Sequence, residues 1–138
     1  DSYGSRGLGD VYKRQLYEGI KAVKPGGKLG DIGAAIQNHA EKNHYSVVEE
    51  YCGHGIGKVY HDEPQILHYG EAGSGQDIIE GMCFTIEPMI NLGTKFTKIL
   101  SDGWTVETRD GKNSAQWEHT IYVGNDGAEI LTLRSEEI

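Results

Sequence analysis

Phe84-Thr85-Ile86-Glu87-Pro88-Met89 and Gln116-Trp117-Glu118-His119-Thr120-Ile121 are the two stretches on which the reading of this chain turns. Both are rich in the β-branched and aromatic residues that suit a pleated, half-buried surface, and each has a glutamate set into it. Side chains alternate between the faces of a strand. Glu118, Thr120 and Tyr122 therefore share one face, and Trp117, His119 and Ile121 the other. In the first stretch Pro88 removes a backbone donor and restricts Glu87 to an extended conformation, which sets the direction of its carboxylate. A lone carboxylate in apolar surroundings is costly unless a cation or donor compensates it. The competing reading of each glutamate is an exposed residue at a strand end.

Outward from these stretches, residues 82–90, 104–108 and 115–123 read as strands, with Arg109-Asp110-Gly111-Lys112 as a hairpin signal between the last two. Asn125-Asp126-Gly127 marks a further turn before a strand at 129–133. Upstream, 46–48 reads as a short strand leading into Cys52-Gly53-His54-Gly55-Ile56-Gly57, followed by a loop that contains Pro64 and the polar run 70–76. Leu16, Ile20 and Val23 recur at helical spacing and predict a helix over 11–23, stopped by Pro25-Gly26-Gly27. Ile32, Ala35, Ile36 and Ala40 form the buried stripe of a second helix over 29–43, with Asp31 in its first turn. Two helices followed by antiparallel strands make an α+β unit in which the helices pack on the sheet.

The 13 basic and 21 acidic side chains leave a formal charge of −8 without a clustered basic stripe, which argues against nucleic acid as a partner. No apolar run approaches the ~20 residues needed to span a bilayer as a helix, and no export signal is legible. Cys52 and Cys83 do not form a CxxC pair and read as reduced thiols in a cytoplasmic protein. Residues 1–14 show no clear period and carry Gly4, Gly7 and Gly9. They read as a non-native or disordered leader before one domain over 15–138. The chain does not begin with Met, which suggests a processed product or a piece of something longer.

A histidine between glycines sits on backbone that other groups can approach closely. His54, Glu87 and Glu118 each lie at a strand or strand edge, and strands can bring such distant residues onto one face. One imidazole and several carboxylate oxygens suit a divalent ion such as Mn, Fe, Co or Zn, without the thiolates of a structural zinc site. The bland alternatives are an incidental turn histidine and two surface glutamates. His61 alone reads as a polar loop residue, and Trp104 could equally be a core aromatic. His39, His44 and His68 carry no usable motif and read as surface or packing residues.

Five blocks taken in order, Glu50 to Gly57, Tyr60-His61-Asp62-Glu63-Pro64, Phe84 to Pro88, Asp102-Gly103-Trp104-Thr105 and Ala115 to Thr120, resemble the C-terminal half of type I methionine aminopeptidases. The likeness covers about residues 15–134, and the short interval between His54 and Glu87 resembles type I rather than type II. The resemblance implies the pita-bread fold, in which two similar α+β halves enclose a pair of divalent metals. It also implies removal of the initiator methionine from nascent polypeptides in the cytoplasm, with the ribosome as a partner of the full-length enzyme.

By the same resemblance His54, Glu87 and Glu118 are metal ligands, with Glu118 bridging, and Glu87 also serves as general base or proton shuttle. His61 joins Glu87 as a catalytic residue by contacting the scissile peptide. His54, Tyr60, His61 and Trp104 face substrate, Tyr60 and Trp104 lining the pocket for the methionine side chain. The family's two aspartate ligands lie upstream, and neither Asp10 nor Asp31 stands in such a motif. This chain is therefore expected to hold at most one ion, weakly, to be inactive alone, and to self-associate through exposed apolar surface. Two other readings stay open: a non-catalytic pita-bread binding protein, which typically loses the ligands, and a related hydrolase cutting before proline or acting on creatine.

Overall fold

The computed structural model describes residues 2–137. Helix α1 (Ser2–Lys21) buries Leu16 and Ile20, and helix α2 (Leu29–Lys42) buries Ile32, Ala34, Ile36 and Ala40. The Lys28 N–H, one of the amides a helix start leaves without an internal partner, donates to one Asp31 carboxylate oxygen at 2.9 Å. The Gly73 N–H donates to the other at 2.7 Å, so one acid both caps α2 and ties the 70–76 loop to it. These bonds, the one from Lys28 foremost, hold the Asp31 carboxyl below its usual range.

The expectation of a helix from residue 11 needs correction, because α1 runs back to Ser2 through the segment read as a disordered leader. Glycines weaken helix propensity. Once a helix is nucleated, however, each further residue adds one hydrogen bond, so a poor segment can extend an established ladder.

Among the described residues the strands are β1 (Ser46–Val47), β2 (Gly53–Gly55), β3 (Asp62–Ile66), β4 (Cys83–Ile86), β5 (Met89–Asn91), β6 (Thr97–Ile99), β7 (Val106–Thr108), β8 (Ser114–Gln116), β9 (His119–Val123) and β10 (Ala128–Ile130). They form a sheet of order β10-β9-β4-β2-β3, a second of order β1-β5-β8, and the ribbon β6-β7. Asn125-Asp126-Gly127 makes the expected β9–β10 connection. Leu16, Ile20, Ile32 and Ile36 pack with Ile66, Phe84, Ile86, Ile121 and Val123 in one buried cluster, on the face of the larger sheet turned to the helices.

Several expected elements are redrawn. The segment around Pro64, read as a loop, is strand β3. It lies at the sheet edge, where a residue without an N–H is tolerated. Arg109–Lys112 does not join neighbouring strands, since β7 pairs with β6 and β8 with β5. The real hairpin turns at Asp102-Gly103, where Gly103 takes a φ of 70° and Asp102 Oδ1 accepts the N–H groups of Trp104 and Thr105 at 2.9 and 2.8 Å. The last strand ends at Ile130, and the chain closes in a 3-10 turn, Ser135–Glu137.

The two expected long strands, 82–90 and 115–123, are each broken in two, β4 from β5 and β8 from β9, and the halves belong to different sheets. Pro88 accounts for the break, since it cannot donate to a ladder. The register nevertheless carries through: Ile86 pairs with His119 on one side of the gap, and Met89 with Gln116 on the other. Within the gap Glu87 therefore stands opposite Glu118.

Candidate metal centre

Like charges directly opposite each other across antiparallel strands destabilise a sheet. Here two carboxylates meet where the ladder is interrupted, and His54 joins them from β2 on the far side of β4. One ligand-capable atom from each of His54, Glu87 and Glu118 lies within 4.8 Å of the other two. His54 Nε2 is 3.7 Å from Glu87 Oε2. Burial pushes the Glu87 carboxyl above its ordinary pKa; a bond from Thr85 opposes the shift, and the Glu118 carboxylate adds to it. A partly buried acid whose neighbour is another acid has the environment that a cation relieves, so this donor set fits a divalent metal.

Local sequence explains how the three meet. An added Cβ on Gly53 would sit 2.2 Å from the Thr85 carbonyl oxygen, so only glycine lets β2 approach β4 closely enough to bring His54 beside Glu87. The His54 N–H then donates to Thr85 Oγ1 at 3.0 Å, and the Thr85 hydroxyl donates to Glu87 Oε2 at 2.9 Å. On the backbone side the Glu87 N–H donates to His68 Nε2 at 3.1 Å. Burial lowers the His68 pKa to about 4, which keeps that nitrogen free to accept, while the ring also bonds the Tyr51 backbone. Gln116 Nε2 donates to the Glu87 carbonyl at 3.0 Å across the gap.

The pocket in front has a volume of about 430 Å³ and is lined by Tyr51, Cys52, His54, His61, Asp62 and Glu87 among others. His61 lies edge-on to His54, centroids 4.4 Å apart, and Tyr60 lies 4.5 Å from His61 and 5.5 Å from His54. Trp104 is placed elsewhere. It is 87% exposed and lines a second, apolar cavity of about 440 Å³ with Val48, Met89, Ile99 and Val106. Tyr51 lines both cavities, so they are neighbours, but Trp104 and Tyr60 do not share one.

Sequence reasoning passed over Thr85, His68 and Cys52. Thr85 was discoverable, because residues two apart on a strand share a face and it precedes Glu87 by two. His68 carries no local signal; its role depends on the loop returning beneath Glu87. Cys52 and Cys83 are both free thiols, and burial, reinforced by Glu87 and Glu63, pushes the Cys52 thiol pKa up.

The family model for metallopeptidase family M24 matches residues 6–125. The chain belongs to that family. Its match begins ahead of Gln15, where the likeness was expected to start. Among curated M24 relatives, methionine aminopeptidase A of Synechocystis sp. is 64% identical over 123 residues, 89% of this chain and 49% of that protein. The crystal structure of methionine aminopeptidase from Rickettsia prowazekii superposes with a TM-score of 0.91 at 56% identity, covering 94% of this chain and 53% of that one. The prolidase from Pyrococcus furiosus, at a TM-score of 0.67 and 22% identity, shares the fold alone.

This chain thus spans about half the length of the curated relatives it matches. The fold is α+β, one half of the pita-bread architecture of M24 proteins. Membership of a metallopeptidase family implies divalent metal, and His54, Glu87 and Glu118 are the group among the described residues that could hold it. No helix is long and apolar enough to cross a membrane.

Proposed function

We propose that this chain is the metal-binding half of a methionine aminopeptidase, with His54, Glu87 and Glu118 as its metal ligands. The observation that carries the reading is the meeting of those three side chains within 4.8 Å, with the two acids opposed in one register. Retention of all three ligand types favours a catalytic parent over a binding protein of the same fold. The contrast between 64% identity to a methionine aminopeptidase and 22% to a prolidase favours methionine over an Xaa-Pro substrate.

A divalent ion of the Mn, Fe, Co or Zn kind, one of a pair in the whole enzyme, supplies Lewis-acid polarisation of a peptide carbonyl and an activated water at neutral pH. The rest is the work of side chains. Glu87, its pKa raised by burial, is suited to take a proton and return it to a departing amine. His61 presents an exposed ring beside His54, where it would hold the scissile peptide. Tyr60 packs on the same histidines and would flank the methionine side chain. Trp104 would take part through the adjoining apolar cavity. The substrates are nascent polypeptide N-termini in the cytoplasm, at the ribosome for the full-length enzyme.

Three ligands taken by themselves hold one ion weakly. Anaerobic calorimetric titration with Mn(II) or Co(II) tests this, with His54→Ala and Glu118→Ala in parallel. Weak binding near one ion per chain, abolished in both variants, is expected; binding unaffected by either variant removes the ligand assignment. With a full-length enzyme restored around this half, cleavage of an Xaa-Pro dipeptide but not of Met-Ala-Ser would reverse the substrate choice.

A further inference from the structure

Thr85 is 2% exposed, lies at the middle of the site and touches two of the three proposed ligands. Its hydroxyl has one hydrogen and two lone pairs, and both functions are in use: Oγ1 accepts the His54 N–H at 3.0 Å and donates to Glu87 Oε2 at 2.9 Å. We propose that Thr85 is a positioning residue that sets the β2 backbone carrying His54 and the Glu87 carboxylate at a fixed distance for metal. The inference rests on the metal-centre reading above and deepens it.

Several features single out threonine at this position. With Oε2 engaged by the hydroxyl, the Glu87 carboxylate cannot rotate freely. On the β4 side the His54 N–H is met by a side chain, Thr85 Oγ1, and the β2–β4 backbone register is a short one at Gly55 and Phe84. Without an acceptor that buried amide would be unsatisfied. Serine offers the same hydroxyl, but threonine's β-branch restricts χ1 and suits a strand, so the hydroxyl is held in place as well as present. His68 secures Glu87 from the other side by accepting its N–H, so the carboxylate is constrained at both backbone and side chain.

Thr85→Val preserves shape and removes the hydroxyl, whereas Thr85→Ser preserves the hydroxyl. In the metal-free 138-residue chain, hydrogen exchange at the His54 amide is expected to lose its protection in Thr85→Val and keep it in Thr85→Ser. In Co(II) and Mn(II) titrations the valine variant is expected to bind about 10- to 100-fold more weakly, with altered Co(II) d–d bands, and the serine variant within about threefold of the parent. Should valine prevent folding, Thr85→Ala against Thr85→Ser makes the same comparison. Unchanged His54 exchange in the valine or alanine variant overturns the positioning role, as does metal affinity equal to the parent's, or a serine variant as weak as valine. If the parent chain binds no metal while the exchange difference stands, the metal-centre reading fails and the hydrogen-bond role survives without a ligand to position.

Discussion

Two histidine–glutamate pairs lie on opposite sides of the larger sheet, and they behave in opposite ways. Behind it, His119 Nε2 and Glu137 Oε2 are 2.8 Å apart, the Tyr17 hydroxyl donates to the same carboxylate oxygen at 2.6 Å, and His119 Nδ1 meets Thr132 Oγ1 at 2.8 Å. The Glu137 side chain is 3% exposed. Burial alone would raise its pKa, but bonds from Tyr17 and His119 outweigh that and hold it at about 2, while burial and Glu137 push the Tyr17 phenol to about 12. In front, His54 and Glu87 stand 3.7 Å apart beside a cavity, and the Glu87 carboxyl is raised. The residue types are the same. What separates a structural clamp from a candidate site is whether the acid's demand for positive charge and donors is met within the protein.

Glu87→Gln should give the largest effect: metal affinity falling more than about 100-fold, beyond what loss of a supporting residue produces. The metal-free fold should be unharmed or gain up to about 1 kcal/mol by relief of the opposed charges, seen in urea titration. A loss of stability in that variant would break the comparison, since it would make Glu87 a structural acid like Glu137.

Glu137→Gln should do the reverse, costing about 2–3 kcal/mol by removing bonds to a charged acceptor while metal affinity stays within about threefold. Its pH signature follows from the depressed carboxyl. Between the ordinary glutamate value of 4.5 and the folded value of about 2, the unfolded chain takes up a proton that the native one refuses. Glu137 therefore supports the fold above pH 4.5, and its contribution is lost as pH falls through that window. Thermal melts from pH 7 to 2.5 should show this acid loss in the parent and a shallower one in Glu137→Gln. The raised Glu87 works in the opposite sense, because its protonation on acidification favours the fold.

Trp104→Ala should give the smallest effect on the fold, within about 0.5 kcal/mol, because the ring is almost wholly exposed. Trp104, Ile99 and Val106 nonetheless place apolar surface beside one cavity, so the same variant should reduce any self-association seen in sedimentation velocity.

Periodicity alone carried the two helices, the order of most strands and the alternation that sends Glu118 and His119 to opposite faces. These are local rules of side-chain geometry that every window of the sequence obeys. The start of α1 was not legible, since glycines obscure a helix that a neighbouring nucleated turn can extend. The β3 strand was hidden because Pro64 reads as a breaker unless its edge position is known. The opposition of Glu87 and Glu118 depends on a register running through a gap between two sheets, and nothing local encodes it. Nor could sequence distinguish the His119–Glu137 pair from the His54–Glu87 pair, or give Thr85 and His68 their parts. The residue types and their faces were decided by sequence. Which acid is satisfied and which still lacks a cation was decided by tertiary structure, because donors and burial come from segments far apart along the chain.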